Sequence, residues 1–353
     1  MTEEEDNDQN TLPDQSEIDD GSKQFGDYQG VIQDEHLRLL FVNINGIPTT
    51  ADNPKNTMIR ESINRTGASI VGFAETNTSW RKLRGKNRWE ERSFGWWENM
   101  RSVTSHNTLE YPKNLFQPGG NLMMTRGKIQ FRIIASGVDP SNMGRWCWQL
   151  FSGKKGVTTR VITAYRPCKS GGITSTYVQQ RRILDAKKIE TCPREQMIQD
   201  LVETITEWMS NGDQIILMLD LNDDVLNSRA GRKLRSIGLR ECLTHRHDDS
   251  VPTSTCNRGT KIIDGIYVSS TILIQKGGYC PFNTFPTDHR ALWIDLTLSN
   301  LCGNKMAQVI NPQARRLKCN DPKTQDKWTR LYLTALKDKN AIQQIYDLQR
   351  QLA

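Results

Sequence analysis

The chain has 353 residues, 36% of them hydrophobic and 25% charged, with a formal net charge of +7, values ordinary for a globular protein. No apolar run reaches bilayer length, and the acidic start Met1-Thr2-Glu3-Glu4-Glu5 lacks the basic-then-apolar order of a secretory signal. These features argue against a membrane partner and predict an intracellular product. The eight cysteines, with no C-x-x-C spacing, argue against a structural zinc site or a disulfide framework.

Charge is unevenly distributed along the chain. Residues 1–30 carry ten Asp or Glu against Lys23 alone, so residues 1–33 are expected to form a disordered acidic tail. The remainder holds 46 Lys+Arg against 30 Asp+Glu, a body of +16. Such a body suits an anionic polymer such as nucleic acid, although solvated surface charge gives the same count.

From residue 34 to 299 apolar runs alternate with helical patterns, as in α/β or α+β domains. Strands are expected over Leu37–Asn43, Ser69–Ala74, Gly120–Thr125, Ile129–Ala135, Trp146–Phe151, Thr158–Ala164, Gln214–Leu219, Lys261–Val268 and Ala291–Leu296. Helices are expected from Pro54 to Arg65, with Gly67 just past the end, and from Glu195 to Asn211, with Pro193 at the start. Residues 300–353 read as a basic linker (Lys305, Arg315, Arg316, Lys318) followed by a helix from Lys327 to the end. No internal repeat is visible.

Six times a strand-like run ends in, or meets, a polar residue. The segments are Phe41-Val42-Asn43-Ile44-Asn45-Gly46, Val71-Gly72-Phe73-Ala74-Glu75-Thr76 and Ile162-Thr163-Ala164-Tyr165-Arg166-Pro167, followed by Met218-Leu219-Asp220-Leu221-Asn222-Asp223, Ile262-Ile263-Asp264-Gly265-Ile266-Tyr267 and Pro286-Thr287-Asp288-His289-Arg290-Ala291. Strand ends on one sheet edge define the usual ligand crevice. Strand alternation would bring Asp220 and Asn222 to one side, and likewise Asn43 and Asn45. Carboxylates and an amide oxygen are hard ligands suited to Mg²⁺, and a His held by a carboxylate is a good donor to a phosphoryl oxygen. Each segment alone is commonplace; the six in order are not.

In this order and spacing they resemble the signature of the endonuclease/exonuclease/phosphatase superfamily, across residues 37–298. The resemblance implies a four-layer α/β/β/α sandwich of the α+β class and a Mg²⁺-dependent (or Mn²⁺-dependent) phosphodiesterase. Asn43-Ile44-Asn45-Gly46 and Ala164-Tyr165-Arg166-Pro167 are most similar to the apurinic/apyrimidinic endonucleases and the endonucleases of non-LTR retrotransposons, with Asn45 closer to the retrotransposon form. The tract Asn311-Pro312-Gln313-Ala314-Arg315-Arg316-Leu317 is loosely similar to the connector before a reverse transcriptase, which would then be a partner. By resemblance, Asn43, Glu75 and Asp288 hold or neighbour the metal, with Asn45 behind them. Asp220 activates the water or assists the leaving group, and Asn222 fixes the attacking oxygen or the scissile phosphate. Tyr165 donates to a non-bridging phosphate oxygen, and Asp264 orients His289 toward the phosphoryl oxygen. Arg166 replaces a small or apolar residue, adding a phosphate contact or narrowing the groove. The expectation is a retroelement-derived endonuclease on double-stranded DNA, resident in the nucleus. An RNA nuclease or phosphatase on the same scaffold, and a catalytically silent nucleic-acid-binding module, remain as alternatives.

Other features read as structural. His245 and His247 beside Asp248 and Asp249 lack a third ligand at metal spacing, and Gly119-Gly120 is not followed by the Lys-Ser/Thr of a phosphate loop. The nine tryptophans are expected in the core, with Trp80, Arg81 and Lys82 placed to flank a nucleic-acid groove.

Overall fold

The computed structural model describes residues 24–33, 35–97, 99–109, 115–153, 156–302 and 321–352. Twelve strands follow in chain order: β1 (His36–Asn43), β2 (Ile70–Ala74), β3 (Met100–Ser105), β4 (Asn121–Arg126), β5 (Ile133–Val138), β6 (Trp146–Ser152), β7 (Thr158–Tyr165), β8 (Asp213–Asp220), β9 (Leu239–Glu241), β10 (Asp264–Ser269), β11 (Lys276–Tyr279) and β12 (Leu292–Thr297). They form two six-stranded sheets, ordered β11-β12-β1-β2-β4-β3 and β5-β6-β7-β8-β10-β9. In each sheet one central pair is parallel, β1 with β2 and β7 with β8, and every other pair is antiparallel. The two sheets therefore repeat one topology, in which β1 matches β7 and β2 matches β8.

Alternation along the strands builds two cores. Leu39, Phe41, Ile70 and Met123 face the second sheet and join Val161, Ile216 and Met218. Their neighbours Leu40, Val42, Val71, Phe73, Leu122 and Met124 face the other way, onto helix α1 (Pro54–Thr66) and the short α2 (Trp89–Phe94) through Ile59, Ile63 and Trp89. On the far side Met197, Ile198, Leu201 and Ile205 of the long helix α4 (Pro193–Ser210) cover the second sheet, with α3 (Thr176–Ala186) and α5 (Arg229–Ser236) beside it. Short helices α6 (Cys242–Arg246) and α7 (Leu298–Cys302) follow β9 and β12. The result is the expected four-layer α+β sandwich.

The sheets approach closely at Gly72. A Cβ there would lie 2.3 Å from Thr163 Oγ1 and 2.8 Å from Met218 Cε, so only glycine fits between the layers. Elsewhere tryptophans serve the core in company with arginines. Arg38 lies over Trp293, Arg145 over Trp146, and Arg160 between Trp148 and Trp208, each at 4.1–4.6 Å. Each also pairs with a carboxylate, Asp295, Asp139 and Asp213 respectively, at 2.7 Å. Part of the basic excess is thus internal and neutralised.

Several boundaries differ from those expected. The strand expected from Ile129 begins only at Ile133, because Gly127 (φ 76°) turns the chain into a 3₁₀ segment over Lys128–Arg132. The strand expected from Lys261 begins at Asp264; Ile262 and Ile263 instead give their carbonyls to Val225 and Leu221. Residues 24–33, assigned to the acidic tail, pack on the first sheet: Phe25 meets Tyr279 at 4.9 Å and Asp27 pairs with Arg246 at 2.8 Å. Residues 1–23, and the basic residues Lys305, Arg315, Arg316 and Lys318 with the tract 311–317, lie outside the described residues. The expected boundary at 299 falls inside α7, whose Leu301 and Cys302 are buried.

Residues Ala307–Ala353 form a separate compact unit. Its single expected helix is two, α8 (Pro322–Asp338), capped by Asp321, and α9 (Ala341–Leu352), separated where Asn340 takes φ 49°. No described helix is long and apolar enough to cross a membrane.

The Arg145–Asp139 pair makes a two-part prediction. Burial alone would raise the Asp139 pKa, but Arg145 and the Ser141 hydrogen bonds hold it below its ordinary value. Arg145→Met strands a carboxylate with 0% side-chain exposure and is expected to cost about 3–5 kcal/mol in urea denaturation at neutral pH. A depressed folded-state pKa gives stability that is present above the unfolded value and lost as pH falls through the folded one. The deficit of Arg145→Met should therefore shrink as pH drops below about 4, where wild type loses this contribution. Separately, Gly72→Val is expected to cost at least about 3 kcal/mol, since neither sheet can retreat without opening the core.

Candidate active site

Strands β1 and β8, which contact each other across the two sheets, end at Asn43 and Asp220, and both continue into the same kind of turn. Asn43 Oδ1 accepts the Asn45 N–H and Asp220 Oδ1 the Asn222 N–H, each at 2.9 Å. Asn45 and Asn222 then take left-handed backbone, φ 46° and 48°. Asn45 and Asn222 thus reach the site through these turns and not, as expected, through strand alternation, which stops one residue after Val42 and Leu219.

The two turns are joined by one side chain. Asn43 Nδ2 donates to Glu75 Oε2 at 2.8 Å and to Asp220 Oδ2 at 2.7 Å, spanning both sheets. In this orientation the Asn43 nitrogen faces the carboxylates, and its oxygen is engaged by the Asn45 amide. Asp264 stands directly opposite Asp220 in the β8–β10 ladder, and its Oδ2 meets His289 Nδ1 at 2.8 Å. Oxygens of Asp220 and Asp264 and a ring nitrogen of His289 all lie within 4.8 Å of one another. Asn45 Nδ2 donates to Asp288 Oδ1 at 3.2 Å, closing the ring of segments.

A cavity of about 750 Å³ opens over this network, lined by Asn45, Glu75, Tyr165, Asn222, Asp288 and His289 among others. Asn43, Asp220 and Asp264 sit behind them, buried. All six polar strand-end segments therefore meet at one place. Arg166 is the exception: it turns away into Asp223 (3.1 Å), Glu195 (3.4 Å) and the carbonyls of Arg194 and Leu221. It makes no contact with the cavity, and it neutralises the Asp223 charge that the sequence places next to Asn222.

Burial and the neighbouring Asp264 carboxylate raise the Asp220 pKa well above the ordinary range, with His289 pulling the other way. Burial disfavours a charged His289, but Asp264 and Asp220 outweigh it and raise its pKa to about 10. Burial, with Glu75 and Asp220, raises the Tyr165 phenol well above its ordinary value, so it stays a proton donor at neutral pH.

The donor set fits a hard divalent cation. Glu75, Asp220, Asp264 and Asp288 crowd one small region, and the buried Asp264 Oδ1 has no hydrogen-bond partner among the described residues. Oxygen donors of this kind are what Mg²⁺ or Mn²⁺ takes, with waters or substrate completing the shell. Glu75 and Asp288 present their carboxylates to the cavity and could hold it, with Asn43 fixing Glu75 from behind.

Backbone strain gathers at the same place. Asn45, Glu75, Asn77 and Asn222 all have positive φ and all line the cavity. Glu75, at φ 52°, lacks the short side chain that makes this region tolerable for Asn, at a cost of about 1 kcal/mol.

Some neighbours of the site escaped the sequence reading. Lys55, in the first turn of α1, donates Nζ to the carbonyls of Ile44 and Asn45 at 2.9 and 3.0 Å, and burial lowers its pKa against the pull of Asp288 and Glu75. Arg258 pairs with Asp288 at 3.0 Å, and Ser175 and Thr176 bring the start of α3 to the cavity wall. The Asn53-Pro54 helix start was a usable signal for Lys55; nothing local marked Arg258. His245 lies in α6 rather than in a polar loop, and His247 just after it bonds the Gly277 carbonyl at 3.0 Å. Trp80 is buried, with its indole N–H on Thr76 Oγ1, and only Arg81 and Lys82 beside it reach a surface hollow.

No protein-family model and no curated protein sequence matches the chain. Solved structures do match. The human Nocturnin catalytic domain with bound sulfate is 14% identical at a TM-score of 0.54, covering 74% of this chain and 93% of that one. The 3′ phosphatase NExo from Neisseria bound to a product DNA hairpin is 13% identical at 0.53, covering 74% and 99%. The 3′–5′ exonuclease NExo of Neisseria meningitidis is 14% identical at 0.52, covering 74% and 100%. Likeness at this identity carries the fold, and the chain has the four-layer endonuclease/exonuclease/phosphatase fold.

Proposed function

We propose that the protein is a divalent-metal-dependent phosphodiesterase, and within that class an endonuclease on double-stranded DNA of the retroelement type. The observation that carries the reading is the convergence itself: Asn43 holds Glu75 and Asp220 together, and Asp264 holds His289, beneath one cavity.

Bound at Glu75 and Asp288, Mg²⁺ or Mn²⁺ would supply polarisation of the phosphoryl oxygen and stabilisation of the leaving alkoxide. The chain's own groups do the rest. Asp220, held on both oxygens and with a raised pKa, is suited to take a proton from the attacking water. Asn222 lines the cavity, where it can fix the attacking oxygen or the phosphate. The protonated Tyr165 donates to a non-bridging oxygen. His289, charged and fixed by Asp264, stabilises the negative charge that grows on the phosphoryl group.

A polymeric substrate is supported by a second hollow of about 290 Å³, lined by Arg81, Lys82 and Arg84. It is built on the same paired segments, near Thr78 and Phe116, that also reach the main cavity. The similar NExo structure is bound to a DNA hairpin, which favours DNA. The retroelement assignment and a reverse transcriptase partner rest on the Asn43-Ile44-Asn45-Gly46 sequence and on residues 311–317, which lie outside the described residues. Residence in the nucleus would follow from a DNA substrate.

The test is nicking of supercoiled plasmid with Mg²⁺ or with EDTA. Metal-dependent nicking that disappears in Asp220→Ala and His289→Ala is expected, and Tyr165→Phe should lower kcat by about 10²-fold. Cleavage confined to RNA, or release of phosphate alone, would replace the DNA endonuclease with another hydrolase; tight DNA binding without turnover in any metal would end the enzymatic reading. A companion experiment separates function from folding. Glu75→Asn, which relieves the strained φ and removes a crowded charge, should abolish hydrolysis yet be as stable as wild type or up to about 1 kcal/mol more so in urea.

A further inference from the structure

Cys256 takes no part in the proposed chemistry, yet its placement is specific. It faces His289 in an isolated antiparallel bridge, and the next residue's amide, Asn257 N–H, bonds the Asp288 carbonyl at 3.0 Å. On the far side Arg290 N–H bonds the Thr255 carbonyl at 2.8 Å. These bonds hold two segments, 32 residues apart at Cys256 and Asp288, in register at the cavity rim. They bring the Cys256 thiol, an Asp288 carboxylate oxygen and a His289 ring nitrogen within 4.8 Å of one another.

We propose that Cys256, Asp288 and His289 form a binding site for Zn²⁺ that shares Asp288 with the oxygen-only site at Glu75. Thiolate and imidazole beside a carboxylate suit Zn²⁺, whereas Mg²⁺ takes oxygen donors. The Asp264 bond occupies His289 Nδ1, so Nε2 is the nitrogen left to bind, and a carboxylate behind a histidine in this way orients the ring and makes it a stronger ligand. Three protein ligands leave a fourth position for water. A tetrahedral shell needs its ligand atoms about 3.3–3.8 Å apart, so the three must close by about 1 Å. The group in the way is Arg258, whose Nε lies 3.0 Å from Asp288 Oδ2; its side chain is 76% exposed and can swing into solvent. Binding breaks the Cys256 S–H bond and one imidazolium N–H bond, and both protons leave to solvent. No oxidant or reductant is involved.

The binding does not depend on the proposed function; its consequence does. Zn²⁺ held here takes the His289 nitrogen and the Asp288 oxygen away from the phosphate, and so inhibits hydrolysis.

Co²⁺, a spectroscopic substitute for Zn²⁺, tests the site on the full chain. A thiolate-to-cobalt charge-transfer band in the near ultraviolet is expected in wild type, in Cys168→Ser and in Glu75→Gln, removed by added Zn²⁺ but not by excess Mg²⁺. Cys256→Ser should lose the band and bind Zn²⁺ about 100-fold more weakly by calorimetry, while its circular dichroism stays that of wild type. Absence of the band in wild type, or its persistence in Cys256→Ser, overturns the site. Where Mg²⁺-supported hydrolysis is present, Zn²⁺ should inhibit wild type at concentrations at least about tenfold lower than Cys256→Ser. Equal sensitivity would overturn the inhibitory role, and an inactive wild type that still shows the cobalt band would count against the hydrolase reading alone.

Discussion

The hydrogen bonds of the Asn43 amide are the constraint on which the site depends. Two sheets of the same topology end β1 and β8 side by side, and the two residues that meet there cannot both be carboxylates without repulsion in a buried space. An amide nitrogen carries two hydrogens and accepts nothing, so it can face Glu75 and Asp220 together, while its oxygen is held by the turn that follows. The asymmetry of Asn at one strand end and Asp at the other thus lets the two halves join where their polar groups are most concentrated.

What that junction costs is visible around it. Asp220 and Asp264 are adjacent and buried, with His289 set against them, and one Asp264 oxygen has no partner among the described residues. Glu75 adds an unfavourable backbone. Such an arrangement persists only where the surroundings over-determine it. The two cores, the Gly72 contact between sheets and the arginines stacked on tryptophans supply that rigidity away from the cavity. Strain and uncompensated charge gathered at one cavity mark a place organised for a ligand rather than for stability.

Most residues of the candidate site were legible in the sequence, Lys55 and Arg258 excepted, and so were most central strands, because both follow from apolar runs interrupted by Asp, Asn or Glu. The edge strands β3 and β11 were not: Lys276–Tyr279 holds two glycines, and Met100–Ser105 is polar at four of its six positions. Helix α3 was missed because its buried face includes Gln179 and Gln180, which satisfy Asn107, Gln117 and the Met143 carbonyl and leave no apolar period to read. The topological repeat was equally hidden, since its equivalent strand ends, Asn43 with Tyr165 and Ala74 with Asp220, share no residue type. Arg166 misled for a different reason: a basic residue beside a catalytic motif invites a phosphate, but the strand end points it at Asp223 and Glu195. Proximity in sequence says nothing of direction once a strand has ended.

The central claim is that this junction grips a divalent cation at its carboxylates. A crystal grown with Mn²⁺ and measured for anomalous scattering tests it most directly. The account predicts a single strong peak within bonding distance of the Glu75 carboxylate, in the cavity that also holds His289. A map with no peak at Glu75, or with manganese only at surface carboxylates, would contradict it.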